Sequence, residues 1–129
     1  MIKWHPNLAE IRARVERRHH AGCTLIIGDD MVKNPARFIH YCLSRMPVGT
    51  IFLDGGQKEW TVIDGNKRLR TILNFLDGQF PLEDGTYYKD LPGYLKFVIS
   101  DSYTFEAYFL TSTSMKNREK IINYIKEEQ

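Results

Sequence analysis

The chain has only two cysteines, Cys23 and Cys42, among 129 residues. Both lie in apolar surroundings without metal-ligand spacing, which excludes a disulfide scaffold or a structural metal and leaves two free thiols of a reducing cytosol. No apolar run reaches transmembrane length, and the start of the chain lacks the basic-then-apolar layout of a signal peptide. The expected setting is therefore cytoplasmic, with no membrane partner. Repeats, low-complexity tracts and linkers are also lacking, so one domain over residues 1–129 is expected. Charge of one sign is scarce: 18 Lys and Arg stand against 16 Asp and Glu, a net of +2. The small surplus is uneven. Residues 1–45 carry 8 cations against 4 anions, residues 46–76 carry 4 against 3, and residues 77–129 carry 6 against 9, giving +4, +1 and −3. That asymmetry favours a polyanion at the first part of the chain only modestly.

With 43% hydrophobic and 26% charged residues, the chain has the composition of a globular domain with a real core. Its centre of organisation is the stretch from Trp60 to Gly78. Trp60, Thr61, Val62 and Ile63 make a β-rich run that meets Asp64-Gly65, and a helical pattern starts at once. Leu69, Ile72, Leu73 and Leu76 recur at i, i+3, i+4 and i+7, one buried helix face. Asp64 is the expected N-cap and Gly78 the expected stop. Lys67, Arg68 and Arg70 occupy the first turns, where the helix dipole already places about half a positive charge. Folding alone favours Asp or Glu there. A glycine turn, free backbone N–H groups and three cations at one helix start point to an anion site, first of all for phosphate. Each residue also has a plainer alternative: Asp64 as a cap only, Gly65 as a turn only, Arg70 as a solvated helix residue.

Pro6 to Ala21 reads as a first, basic helix ending at Gly22, with Leu8, Ile11 and Val15 as its apolar stripe. Arg12, Arg14, Arg17, Arg18, His19 and His20 crowd its second half. A nucleic-acid face is one reading; a solvated helix whose cations complement its negative end is the other. The second is favoured because no aromatic residue interleaves the basic ones. Adjacent histidines point to different sides of a helix and make a poor metal site. Cys23 to Ile27 reads as a strand closed by Gly28-Asp29-Asp30, a polar turn in which Asp29 and Asp30 are weak candidates for Mg²⁺. Asn34 and Pro35 open a second helix with Phe38, Ile39, Cys42 and Leu43 inside and His40 outside. Thr50 to Leu53 is a strand joined by Asp54-Gly55-Gly56 to the Trp60 strand as a hairpin. Tyr94 to Ile99 is a short helix or turn. Tyr103, Phe105, Ala107 and Phe109 alternate with polar neighbours as a strand, and Ser112 or Ser114 caps a last helix with Ile121, Ile122 and Ile125 inside. The expected class is α+β, with a small mixed sheet.

The phrase I-D-G-N-K-R-L-R-T-I-L-N-F-L-D-G-Q-F-P-L resembles the D-G-Q-Q-R motif region of GmrS-type domains, members of the ParB/sulfiredoxin-like superfamily of bacterial and phage proteins. Arg37-Phe38-Ile39 through Met46-Pro47-Val48-Gly49-Thr50-Ile51-Phe52-Leu53 is similar to that family's helix and P-I-G-x-I-x-L strand, and Asp90-Leu91-Pro92 matches a link in it. The resemblance covers a family-like core of about residues 23 to 125, with 1–22 as an N-terminal basic helix ahead of it.

What the resemblance implies is a fold whose strand–turn–helix binds nucleotide or nucleic-acid phosphate, in relatives that couple NTP hydrolysis to DNA cleavage or bind nucleotides. Asp64 and Arg68 match the acidic and basic ends of the motif and would be its catalytic pair, with Gly65, Asn66, Lys67 and Arg70 around the phosphate and NTP with Mg²⁺ at Asp64 as the expected cofactors. Asn66 and Lys67 replace the two glutamines. The family's upstream Gln-Arg segment falls at Gly28 to Lys33, where this chain has no arginine or tryptophan. Two functions follow as expectations: a nucleotide- or DNA-phosphate-binding protein with Mg²⁺-dependent NTP hydrolysis or DNA nicking, and a catalytically inactive small phage or mobile-element protein that occupies a host or restriction partner.

Overall fold

Five short strands meet in one mixed sheet, and helices supply the cover that its apolar face demands. The computed structural model describes residues 2–17, 23–55, 58–110, 120, 122–124 and 127. In chain order come strand β1 (Ile2–Trp4), helix α1 (Leu8–Val15), strand β2 (Thr24–Ile26), helix α2 (Pro35–Leu43), strands β3 (Thr50–Gly55) and β4 (Glu59–Asp64) and helix α3 (Asn66–Leu76). A 3₁₀ turn (Tyr88–Asp90), helix α4 (Gly93–Phe97), a wide π turn (Val98–Ser102) and strand β5 (Glu106–Leu110) follow. Strand order is β1-β5-β3-β4-β2. β1 runs antiparallel to β5, β5 parallel to β3, β3 antiparallel to β4, and β4 parallel to β2. The class is α+β, as the segment pattern predicts.

Alternation along the strands decides which face is covered. Ile51, Leu53, Val62 and Ala107 point into the main core with Leu25, while Phe52, Ile63 and Leu110 form a second, smaller cluster on the other face with Ile122. The β3–β4 register slips by one residue between Phe52 (opposite Asp64) and Leu53 (opposite Val62), so β4 carries an extra residue just before the Asp64-Gly65 turn. Such a bulge re-aims the strand end. Helix α3 is the most enclosed element. Its predicted stripe is buried at Leu69, Ile72, Leu73 and Leu76, and Thr71 and Phe75 are buried with it. Phe75 touches Phe80 and Tyr88, which closes the core under the 80–90 segment.

Several expected boundaries move. The first helix is not Pro6–Ala21 but Leu8–Val15, capped by the Asn7 side chain, which accepts from the Glu10 N–H. After Val15 come the charged Glu16 and Arg17, and Arg17 takes a left-handed φ of 58°, which ends the helix. Its cations are used locally: Arg12 pairs with Glu16 and Asp77, and the Arg14 guanidinium lies 4.3 Å from the Trp60 ring centre. The second strand is Thr24–Ile26, shorter than Cys23–Ile27, and the last is Glu106–Leu110, because Tyr103 to Phe105 run extended but pair only through the single Asn7–Thr104 bridge. β1 was not expected, since three residues carry no readable period. It joins β5, and Leu8 and Ile11 of α1 sit in the main core, so residues 2–17 belong to the same packing unit as the rest of the described chain. His19, His20, Gly22, Gly56, Ser112, Ser114, Ile121 and Ile125 lie outside the described residues. Among the described residues no helix is long and apolar enough to cross a membrane.

Two buried groups tie this core to pH. Burial pushes the Cys42 thiol up to about 12, and burial also raises the Tyr103 phenol above its ordinary range. In the unfolded chain they ionise near about 8.5 and 10. Their folded values are raised, so the stability they contribute is full below the unfolded values and is lost as pH rises through and beyond them. Stability measured by urea unfolding should fall progressively above about pH 9, by up to about 1.4 kcal/mol per pH unit for each group. Cys42→Ala should flatten that slope; a midpoint that stays level from about pH 8 to 11 would contradict the burial of these groups.

Candidate functional site

The strand-to-helix corner is built on Gly65, the N-cap of α3, with φ +112°. An added Cβ there would stand 3.0 Å from Ile51 Cγ1, so the corner needs glycine for both conformation and space. This corrects the expected cap. Asp64 is the last residue of β4, one position too early to cap, and its carboxylate lies 3.7 Å from Arg68 Nη2 instead. No side chain caps α3 and no acid occupies its first turn. The Leu69 N–H reaches the Gly65 carbonyl, which leaves the N–H groups of Asn66, Lys67 and Arg68 without helical acceptors.

The three cations do not converge. Arg68 turns inward, donating to the Val48 carbonyl and to the Thr50 carbonyl at 2.9 Å. The chain wraps this guanidinium closely: at Gly49, with φ +88°, an added Cβ would meet Arg68 Nη1 at 2.9 Å. Arg70 turns the other way. Its Nε donates to the Gly28 carbonyl at 2.8 Å, and Nη2 lies 3.8 Å from the fully exposed Asp29 carboxylate. Only Lys67 is exposed, with no hydrogen bond or ion pair among the described residues.

Asn66 is also occupied. Its Oδ1 accepts from the Gly28 N–H at 2.9 Å and its Nδ2 donates to the Val62 carbonyl at 3.0 Å. One turn on, the buried Thr71 hydroxyl accepts from the Val32 N–H at 3.0 Å and donates to the Lys67 carbonyl at 2.6 Å. Asn66, Arg70 and Thr71 therefore fasten the Gly28–Val32 segment to α3, while Arg68 fastens the 48–50 segment. The inference from the dipole is corrected to this extent: Arg68 and Arg70 have structural reasons to stand at the helix start, and Lys67 alone has none. The fasteners Thr71, Gly49 and the Gly28 backbone were missed by sequence reasoning. Thr71 had a weak signal, a polar residue at the edge of the buried arc, next to Phe75 in helical angle. Asn66→Ala should cost about 1–3 kcal/mol, since two backbone groups lose their partners; urea unfolding measures it, and a change within surface scatter would contradict the fastening role.

Asp29 and Asp64 are each held by an arginine, and among the described residues no group of three His, Cys, Asp or Glu side chains could hold a metal. Asp30 is exposed beside Asp29. Next to α3 lie two adjoining cavities on α2, of about 510 and 400 Å³, which share Lys33, Asn34 and Arg37. In comparisons with known proteins, the chain matches no protein-family model, no curated protein and no solved structure.

Proposed function

We propose that this is a ParB/GmrS-like domain that binds the phosphate of a nucleotide or of DNA at the start of α3. The observation that carries the proposal is the corner itself: three N–H groups without helical acceptors, no acidic residue in the first turn, and an exposed Lys67 beside them. Glycine lets the phosphate approach the backbone, the N–H groups and the dipole attract it, and Lys67 supplies a mobile point charge. Arg68 and Arg70 serve the site by holding its two flanking segments rather than by touching the anion. Asp64 offers one partly exposed carboxylate, and Mg²⁺ is commonly held by one or two carboxylates together with substrate phosphates. Asp64 is thus the residue that would hold a Mg²⁺ delivered with an NTP, and such an ion would supply charge neutralisation for hydrolysis or nicking.

Lys67→Gln separates binding from folding. It removes a cation that opposes the helix dipole, so stability should stay level or rise by a few tenths of a kcal/mol, while phosphate affinity falls by about 1–3 kcal/mol. Thermal-shift titration with NTPs, pyrophosphate and short DNA, beside urea unfolding of the free protein, reads both. A ligand at about 100 times its dissociation constant should add roughly 2.7 kcal/mol to the wild type. No shift with any of these compounds would remove the phosphate reading.

A second reading is supported by the same hydrogen bonds. With Asn66, Arg68 and Arg70 engaged in fastening loops, the fold has the makings of a catalytically inactive interaction protein, small and of phage or mobile-element type, that occupies a host or restriction protein. NTP turnover and plasmid nicking with Mg²⁺, lost in Asp64→Ala, support the enzyme; turnover absent from wild type supports the interaction protein.

A further inference from the structure

We infer that the groove between α2 and the Met46–Val48 segment is a docking site for a protein segment in which a large apolar side chain stands beside Asp or Glu. The inference does not depend on phosphate binding at α3. The groove, about 510 Å³, is walled on its apolar side by Phe38, Tyr41, Pro47 and Val48 and carries Lys33 and Arg37 at the N-terminal end of α2. Tyr41 is 42% exposed, and Met31 and Met46, next in sequence to the lining residues Val32 and Pro47, are 36% and 45% exposed. Among the described residues, one large exposed apolar side chain, Tyr41, thus lines the groove and two more, Met31 and Met46, adjoin its lining in sequence. Tyr, Met and Arg are the residue types enriched in recognition surfaces, and thioethers adapt to varied apolar anchors.

Charge complementarity defines the occupant. Lys33 and Arg37 are exposed and have no hydrogen bond or ion pair among the described residues. The first turn of α2 holds no acid, and the Asn34 side chain makes no cap bond. Among the described residues the sole carboxylate lining either cavity is Glu83, in the adjoining one formed with Phe80 and Pro81. A positive end therefore adjoins an apolar trough, the mirror image of an acidic, apolar peptide. The walls are also held in advance: Val32 by Thr71, Val48 by Arg68, and the Met46 carbonyl by the Tyr103 hydroxyl. Walls fixed before binding lower the ordering cost of association. A single-stranded nucleic acid fits less well, because it needs successive exposed aromatic platforms along a basic track, and here Tyr41 is the one exposed ring, with Phe38 half-buried beside Pro47 and Val48.

The test uses the full chain and short random peptides displayed on phage, with oligodeoxythymidine as a second probe. Selection should enrich peptides that place Asp or Glu within a few residues of Leu, Ile, Phe or Trp. Synthetic versions should bind with affinity that falls about tenfold or more in Tyr41→Ala and in Arg37→Glu, the range of a hot-spot loss. Exchanging their acids for amides should weaken binding similarly, and Lys67→Gln should leave it unchanged. All these positions are exposed, and circular dichroism with thermal unfolding confirms each variant is folded; Lys33→Glu provides a second charge reversal. Enrichment no greater than on the Arg37→Glu/Tyr41→Ala double variant would overturn the inference. So would oligodeoxythymidine binding that is lost in both single variants while peptides fail to bind, which would assign the groove to nucleic acid. Loss of phosphate binding with peptide binding intact would reject the α3 proposal and leave the groove standing.

Discussion

Arg68→Gln should destabilise the protein by about 2–4 kcal/mol, a large share of the stability of a domain of this size. The guanidinium donates to two backbone carbonyls, Val48 and Thr50, and balances Asp64, with its side chain 20% exposed. Hydrogen bonds to charged groups contribute about 1.5–3 kcal/mol each, and partial exposure trims the sum. Glutamine reaches one carbonyl at most and leaves Asp64 unbalanced. The thermal midpoint should drop by roughly 10 °C. Arg68→Lys should lose nearly as much, because an ammonium cannot serve two carbonyls in the fixed fork of a guanidinium. A drop under about 1 kcal/mol, the ordinary range of surface changes, would show that the 48–50 segment is held by something else.

Gly65→Val should cost about 3–4 kcal/mol. Left-handed backbone at a residue with a Cβ costs about 1–2 kcal/mol, and overpacking adds about 1–3. Both apply: φ is +112°, and the Cβ would press on Ile51 Cγ1 at 3.0 Å with Arg68 Nη2 at 3.4 Å. Gly78 is the internal comparison. Its φ is +75°, yet an added Cβ meets nothing within 4 Å, so Gly78→Ala should carry the conformational cost alone, about 1 kcal/mol. Urea unfolding of Gly65→Ala, Gly65→Val and Gly78→Ala separates the two contributions. Equal losses for Gly65→Ala and Gly78→Ala would deny that space around Ile51 matters.

What made α3 legible before any coordinates was its period. Leu69, Ile72, Leu73 and Leu76 repeat a buried stripe over about two turns. The pairing of β3 with β4 was legible too, but Asp54 and Gly55, expected in the turn, extend β3 and pair with Thr61 and Trp60. The helix start misled for a physical reason. A run of cations at a positive dipole end reads as an anion site when only local energetics are visible, but two of the three reach acceptors 18 and 42 residues away, at Thr50 and Gly28. Nothing local announces such partners. The cap was displaced by one residue because the turn needs a left-handed residue more than a side-chain cap. α1 ended early at the left-handed Arg17, which no local pattern announced, and β1 was too short to show any period.

The most direct test of the α3 proposal is an NMR titration of the ¹⁵N-labelled protein with pyrophosphate and ATP, following backbone amides. Saturable shifts at Asn66, Lys67 and Arg68, abolished by Lys67→Gln while the spectrum stays that of the folded protein, are the predicted result. Amides at 66–68 that stay in place while either ligand shifts another region, or while none shifts at all, would contradict the assignment of the anion to this helix start.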